Sequence, residues 1–218
     1  EWRRLWVDGL AGMRMQDWED AKASFNAVYQ QVPGELAPKL ALAVACERGG
    51  LPDVAEGLYE TCAETDAAYV APASFGMARI RAERQDVRGA VDALDQVPKT
   101  SRGYPESRQL RAEVLLAGSG NDIGVLDVAM TSLESVPMDP LIRQQYVVRI
   151  LERALAVVQA GHGTGRADAR IGSFPANEAG IRQGLEKAYR ALARDAVDRP
   201  ERIALVNKAN AVRAWTLT

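Results

Sequence analysis

Small residues recur along this chain at a nearly constant interval. Ala21, Ala55 and Ala90 lie 34 and 35 residues apart, and each is followed four positions on by a large residue, Phe25, Tyr59 and Leu94. Three positions further come Val28, Cys62 and Val97, so each copy carries a small, large, apolar series on one face of a helix. A more degenerate fourth copy starts at Asp122, with Leu126, Met130 and Leu133 on one face and Pro137 after it. An interval of this length holds two helices and two turns, and no single copy encloses its own apolar face. Such a chain is constrained to stack its copies side by side and bury a continuous core between neighbours.

Strict apolar–polar alternation is scarce, whereas i, i+3, i+4, i+7 spacing runs through most of the chain, which predicts an all-α fold. Breakers at Pro33-Gly34, Gly49-Gly50, Pro98, Gly118-Ser119-Gly120 and Pro137 separate the segments. Helices are expected at about residues 2–14, 17–32, 36–48, 52–65, 72–84, 86–97, 105–117 and 121–135. The small–large spacing resembles the tetratricopeptide repeat (TPR), in which the small residue lets two helices approach and the large one fills the neighbouring groove. About four TPR-like helix pairs, wound as a right-handed helical solenoid, are therefore expected over residues 1–137. The first helix of each pair is less regular: Leu5 and Gly9, Leu42 and Ala43, Met77 and Ala78, then Glu113 and Val114.

Beyond Pro137 the pattern changes. Residues 138–160 read as one longer helix with Leu141, Ile142, Tyr146, Ile150, Leu151, Leu155 and Val158 on its buried stripe. Residues 161–177, rich in glycine and small residues, are expected to be a flexible loop. Residues 178–218 are expected to form a C-terminal capping helical hairpin, with Pro200 at a first-turn position. In its second helix Val206, Ala209 and Val212 would seal the stack, while Asn210 and Arg213 would bond helix-end carbonyls or a neighbouring loop. The first residues already have the character of a helix interior, so the chain is expected to be a segment of a longer protein.

A charged fraction of 26% and a net charge of −2 imply no general attraction to nucleic acid or acidic lipid. No stretch approaches the roughly 20 apolar residues that cross a bilayer, and Glu1–Leu10 lack the order of a signal peptide, so a cytoplasmic location is expected. The two cysteines, Cys46 and Cys62, have no CxxC spacing and fall at positions the repeat keeps buried, which favours packing over metal binding or thiol chemistry.

Candidates for chemistry are few. Gly161, Gly163 and Gly165 follow a helix rather than a strand and lack the GK[ST] of a phosphate-binding loop, so a connector is the better reading. His162, the only histidine, lies in that loop with no orienting partner in view. Asp17, Glu19, Asp20, Glu152 and Glu186 fit helix starts or solvent-facing ion pairs. No catalytic, cofactor or metal residue is assigned. The interaction candidates are Trp2 and Trp6, as a dimer or interdomain contact, and a groove near Lys39, Leu42 and Arg79, where Arg79, Arg81 and Arg84 would offer partners to carboxylates of a bound peptide.

The segments "WRRLWVDGL", "DWEDAKASFNAVYQQVPGELAPKLALA" and "EAGIRQGLEKAYRALARDAVDRPERIALVNKANAVRAWTLT" resemble the actinobacterial protein kinase G family along nearly the whole chain. The likeness is carried by Pro33 through Leu40 at one end, and by Arg202, Leu205-Val206, Ala209-Asn210 and Arg213 at the other. Ala214 departs from the proline usual in that family. The resemblance implies a region that follows a serine/threonine kinase domain using ATP and Mg, with a rubredoxin-like metal module elsewhere in the parent protein. It also implies a homodimer, contact with the parent's own kinase domain, and a protein substrate such as a forkhead-associated-domain regulator. The segment itself carries no VAIK, HRD or DFG motif and is not expected to turn over ATP. A stand-alone TPR adaptor binding an extended peptide, and an enzyme with a small-molecule site at the 161–177 loop, are the alternative readings.

Overall fold

The computed structural model describes residues 1–134, 136–163, 165–166 and 168–213. Ala214, singled out above, lies outside them. Eleven helices and one short hairpin are present among the described residues. They fall into two compact units, Glu1–Ser107 and Arg108–Thr218.

In the first unit α1 (Trp2–Met15), α2 (Trp18–Gln31), α3 (Leu36–Arg48), α4 (Pro52–Thr65), α5 (Ala67–Glu83) and α6 (Val87–Asp95) each pack on the next, and α3 also touches α5. The repeat is visible in the backbone itself. Gln16, Gly50 and Gln85 adopt left-handed conformations at φ 60°, 77° and 63°, again 34 and 35 residues apart. Each turns the chain so that the next N–H reaches five residues back: Asp17 to Gly12, Leu51 to Cys46 and Asp86 to Arg81, at 2.8–2.9 Å. This is the helix-ending bond that satisfies otherwise orphaned carbonyls. The side chains of Asp17 and Asp86 then cap the following helix by accepting from Asp20 and Gly89. Ala21, Phe25, Ala55, Tyr59, Ala90 and Leu94 are wholly buried, as their spacing requires.

One boundary differs. α5 starts at Ala67 rather than at residue 72 and holds Pro72 in its interior. Asp66 caps it by accepting from the Ala68 N–H, and the packing of Ala73, Met77 and Ile80 carries the helix past the proline, which removes only one backbone donor.

The second unit contains the body of α7 (Tyr104–Gly118), then α8 (Ile123–Glu134), α9 (Pro140–Gln159), α10 (Glu178–Asp195) and α11 (Arg199–Val212). Gly120, at φ 51°, stands 35 residues after Gln85 and marks the fourth copy of the turn. The stretch expected to be a flexible loop is partly built. β1 (Arg170–Ile171) and β2 (Phe174–Pro175) pair antiparallel, and Ile171 is fully enclosed. The Gly172 N–H between them donates to Asp127 of α8 at 2.7 Å, and Phe174 lies against Gly184 of α10. Two apolar side chains and one charged hydrogen bond fix this hairpin despite its small-residue composition.

Candidate interaction site

The cationic cluster expected to face a peptide is closed on the chain's own carboxylates. Arg79 donates from two nitrogens to Glu47 at 2.7 and 2.9 Å, and Tyr59 donates to the same carboxylate at 2.6 Å. Arg81 reaches Glu56 and Glu60 of α4 and the Gly89 carbonyl of α6, while Arg84 binds Glu56 and Asp53. These forks tie α3 to α5 and α4 to α5, an arrangement suited to guanidinium geometry. Burial raises the pKa of Glu47, but the hydrogen bonds from Arg79 and Tyr59 and the charge of Arg79 outweigh it and hold the carboxyl below its ordinary range.

The other two groove candidates also have contacts within the fold. Leu42 is buried, and Lys39 lies over the ring of Tyr29 at 5.3 Å. Arginines of α5 and its C-cap face acidic residues on α3 and α4, so each guanidinium already has a carboxylate partner within the fold. The spacing Asp53, Glu56, Glu60 on α4 was the signal in the sequence.

The tryptophans differ from each other. Trp6 is half-buried and meets Phe25 edge-on, with ring centroids 5.3 Å apart. Trp2 remains exposed beneath the guanidinium of Arg3 at 5.2 Å. With it, Val7 at 61% and Leu10 at 46% exposure put three large apolar side chains on the outside of α1, interleaved with the exposed Arg3 and Arg14, and Val7 and Leu10 were not among the sequence candidates.

At the C-terminal end, Ala209 is buried and Val206 and Val212 are half-buried. Asn210 accepts a hydrogen bond from Arg190 of α10 instead of reaching a helix-end carbonyl. Arg213 is exposed and follows α11 as its C-cap. The α11 end is bonded by Arg182, which donates to the Val212 carbonyl at 3.3 Å. Arginines do the same elsewhere in this unit: Arg143 to the Leu133 and Val136 carbonyls, Arg202 to that of Ala196.

Cys46 and Cys62 are buried free thiols, and burial pushes both pKa values up, which suppresses the thiolate. His162 is exposed. Among the described residues there is no group of three or more metal-ligating side chains, and no helix is long and apolar enough to cross a membrane.

Helix pairs with a turn every 34 or 35 residues, and small residues buried with large ones at constant spacing, define a tetratricopeptide-type helical repeat. The chain matches, over residues 1–216, the family described as protein kinase G tetratricopeptide repeat, and it belongs to that family. It is 36% identical over 216 residues to the serine/threonine-protein kinase PknG of Mycolicibacterium smegmatis, covering 97% of this chain and 28% of that protein. The corresponding figures for PknG of Mycobacterium leprae are 36% over 217 residues, 98% and 28%. The chain thus spans little more than a quarter of the relatives it matches.

Proposed function

We propose that this chain is the non-catalytic repeat region of a protein kinase G-like serine/threonine kinase, acting in the cytoplasm as a dimerisation and positioning scaffold. Phosphoryl transfer, with its ATP and Mg, would take place in a kinase domain outside this segment. The repeats would hold that domain relative to a protein substrate, of which a forkhead-associated-domain regulator is the candidate the family resemblance suggests.

The observation that carries the dimer reading is the outside of α1, where Trp2, Val7 and Leu10 remain open to solvent on an N-terminal helix. An exposed aromatic with aliphatic neighbours is the composition of an interface centre. Sedimentation velocity of the 218-residue chain tests it. A concentration-dependent dimer that Leu10→Asp abolishes is expected; a monomer throughout would remove dimerisation from the reading. For the positioning role, the parent kinase is assayed on its protein substrate and on a short peptide carrying the same phosphorylation site. Deleting the repeats should slow the first reaction far more than the second, and equal losses would refute positioning.

A further inference from the structure

Wholly within the second unit, α8, α9, the hairpin, α10 and α11 surround a cleft of about 1060 Å³. Its charge is one-sided. Arg143, Lys187, Arg190, Arg194 and Arg202 line it, and Glu134 is the lone acid among the lining residues, in a chain whose net charge is −2.

These cations differ in how they are held. Arg190 is paired with Glu186. Among the described residues, Arg143 and Arg202 are held by backbone carbonyls, which orients each guanidinium without cancelling its charge. Lys187 and Arg194 are exposed and have no carboxylate partner among the described residues. The excess of positive charge is therefore real and in part pre-organised, which reduces the ordering cost of binding.

Between the cations the floor is apolar. Val147, Phe174, Ala191 and Val206 are half-exposed to the cleft, from four different elements, above the buried Met130. The lining therefore offers contact area as well as charge.

We propose that this cleft binds an acidic protein segment in which carboxylates alternate with large apolar side chains. The cations favour a chain over a small acid. Lys187, Arg190 and Arg194 follow one another along two turns of α10, a span of roughly 10 Å at the helical rise, while Arg143 and Arg202 face from α9 and α11. That spacing matches successive carboxylates of a peptide, and the volume lies at or above the range of about 300–1,000 Å³ usual for small-molecule sites. This proposal deepens the scaffold reading by giving it a docking site, and rests on the part of that reading concerned with protein partners.

The test is fluorescence anisotropy of the intact 218-residue chain with a labelled peptide of about twelve alternating Glu and Leu residues, long enough to span the cleft. Saturable binding is expected, weakened at least tenfold by Lys187→Glu with Arg194→Glu, and weakened by added salt because exposed charges are screened. Arg88→Glu on α6 of the other unit should leave it unchanged. Should the reversed-charge variant fail to fold by circular dichroism, Lys187→Gln with Arg194→Gln replaces it, with a smaller loss in the same direction. Absence of binding, binding unaffected by both pairs of substitutions, or equal binding of the Lys–Leu counterpart overturns the proposal. Displacement of the peptide by millimolar glutarate would assign the cleft to small carboxylates and overturn it equally. Each of these results leaves the dimer and kinase assays above free to succeed, so the two readings fail separately.

Discussion

Gly76 of α5 lies so close against the ring of Tyr59 on α4 that a methyl group at position 76 would stand 2.3 Å from two ring carbons. Gly9 meets Phe25 in the same manner, at 2.6 Å. Tyr59 cannot swing aside, because it is fully enclosed and its hydroxyl is anchored on Glu47. In an open helix, Gly→Ala gains about 1 kcal/mol. Here Gly76→Ala is expected to lose more than that to overpacking, typically about 1–3 kcal/mol. Thermal melts followed by circular dichroism should show a Tm several degrees lower; an unchanged or higher Tm would mean that α4 and α5 part without cost.

The Arg79–Glu47–Tyr59 cluster makes stability depend on acid. Glu47 is held below its ordinary range in the folded chain, so its contribution is complete above the unfolded value of about 4.3 and fades as pH falls through the lower folded value. Glu47→Gln should flatten that part of the profile and cost roughly 1–3 kcal/mol at neutral pH, because Arg79 keeps its charge without a counter-ion. Urea unfolding at a series of pH values reads both effects, and a variant as acid-sensitive as the parent chain would contradict the assignment.

Three tyrosines weaken the fold at alkaline pH. Tyr59, Tyr146 and Tyr189 each donate to a carboxylate, on Glu47, Glu113 and Glu152. Burial and then the neighbouring carboxylate raise all three pKa values, that of Tyr146 to about 12. A raised folded value means that the stabilisation is full below the unfolded pKa of about 10 and is lost as pH rises through the folded values. Phenolate absorbance should therefore lag behind that of free tyrosine, and Tyr59→Phe should reduce the loss of stability above pH 10.

Ser74 of α5 is completely buried, and its hydroxyl has no hydrogen-bond partner among the described residues. Ser74→Ala removes an unsatisfied group at little cost in volume and should stabilise the chain by about 1 kcal/mol. A rise in the urea midpoint with an unchanged slope is the expected result, and a fall would point to a partner that the fold supplies in solution.

The repeat was legible because small and large side chains alone carry it. Ala21, Ala55, Ala90 and their companions at Phe25, Tyr59 and Leu94 are the groups that fill the space between helices, and all are buried. The intramolecular partners of Arg79, Arg81 and Arg84 were not legible, because an arginine reads alike in sequence whatever carboxylate it meets, and Glu47 stands on another helix. The hairpin escaped notice because Ile171 and Phe174 stand singly among glycine, serine and alanine, and it is the distant Asp127 that completes it. The cleft was hidden for the same reason: its cations come from three helices that only the fold assembles.

The left-handed joints at Gln16, Gly50, Gln85 and Gly120 share one backbone geometry, although only two are glycine. A segment cut at one joint and joined at the next carries two helices, and at Gln16, Gly50 and Gln85 the helix-ending bond goes with it. Shortening or lengthening this protein is thus quantised: whole modules can be added or removed with their neighbours' contacts renewed, whereas a change of a few residues inside a module would throw every later side chain out of register.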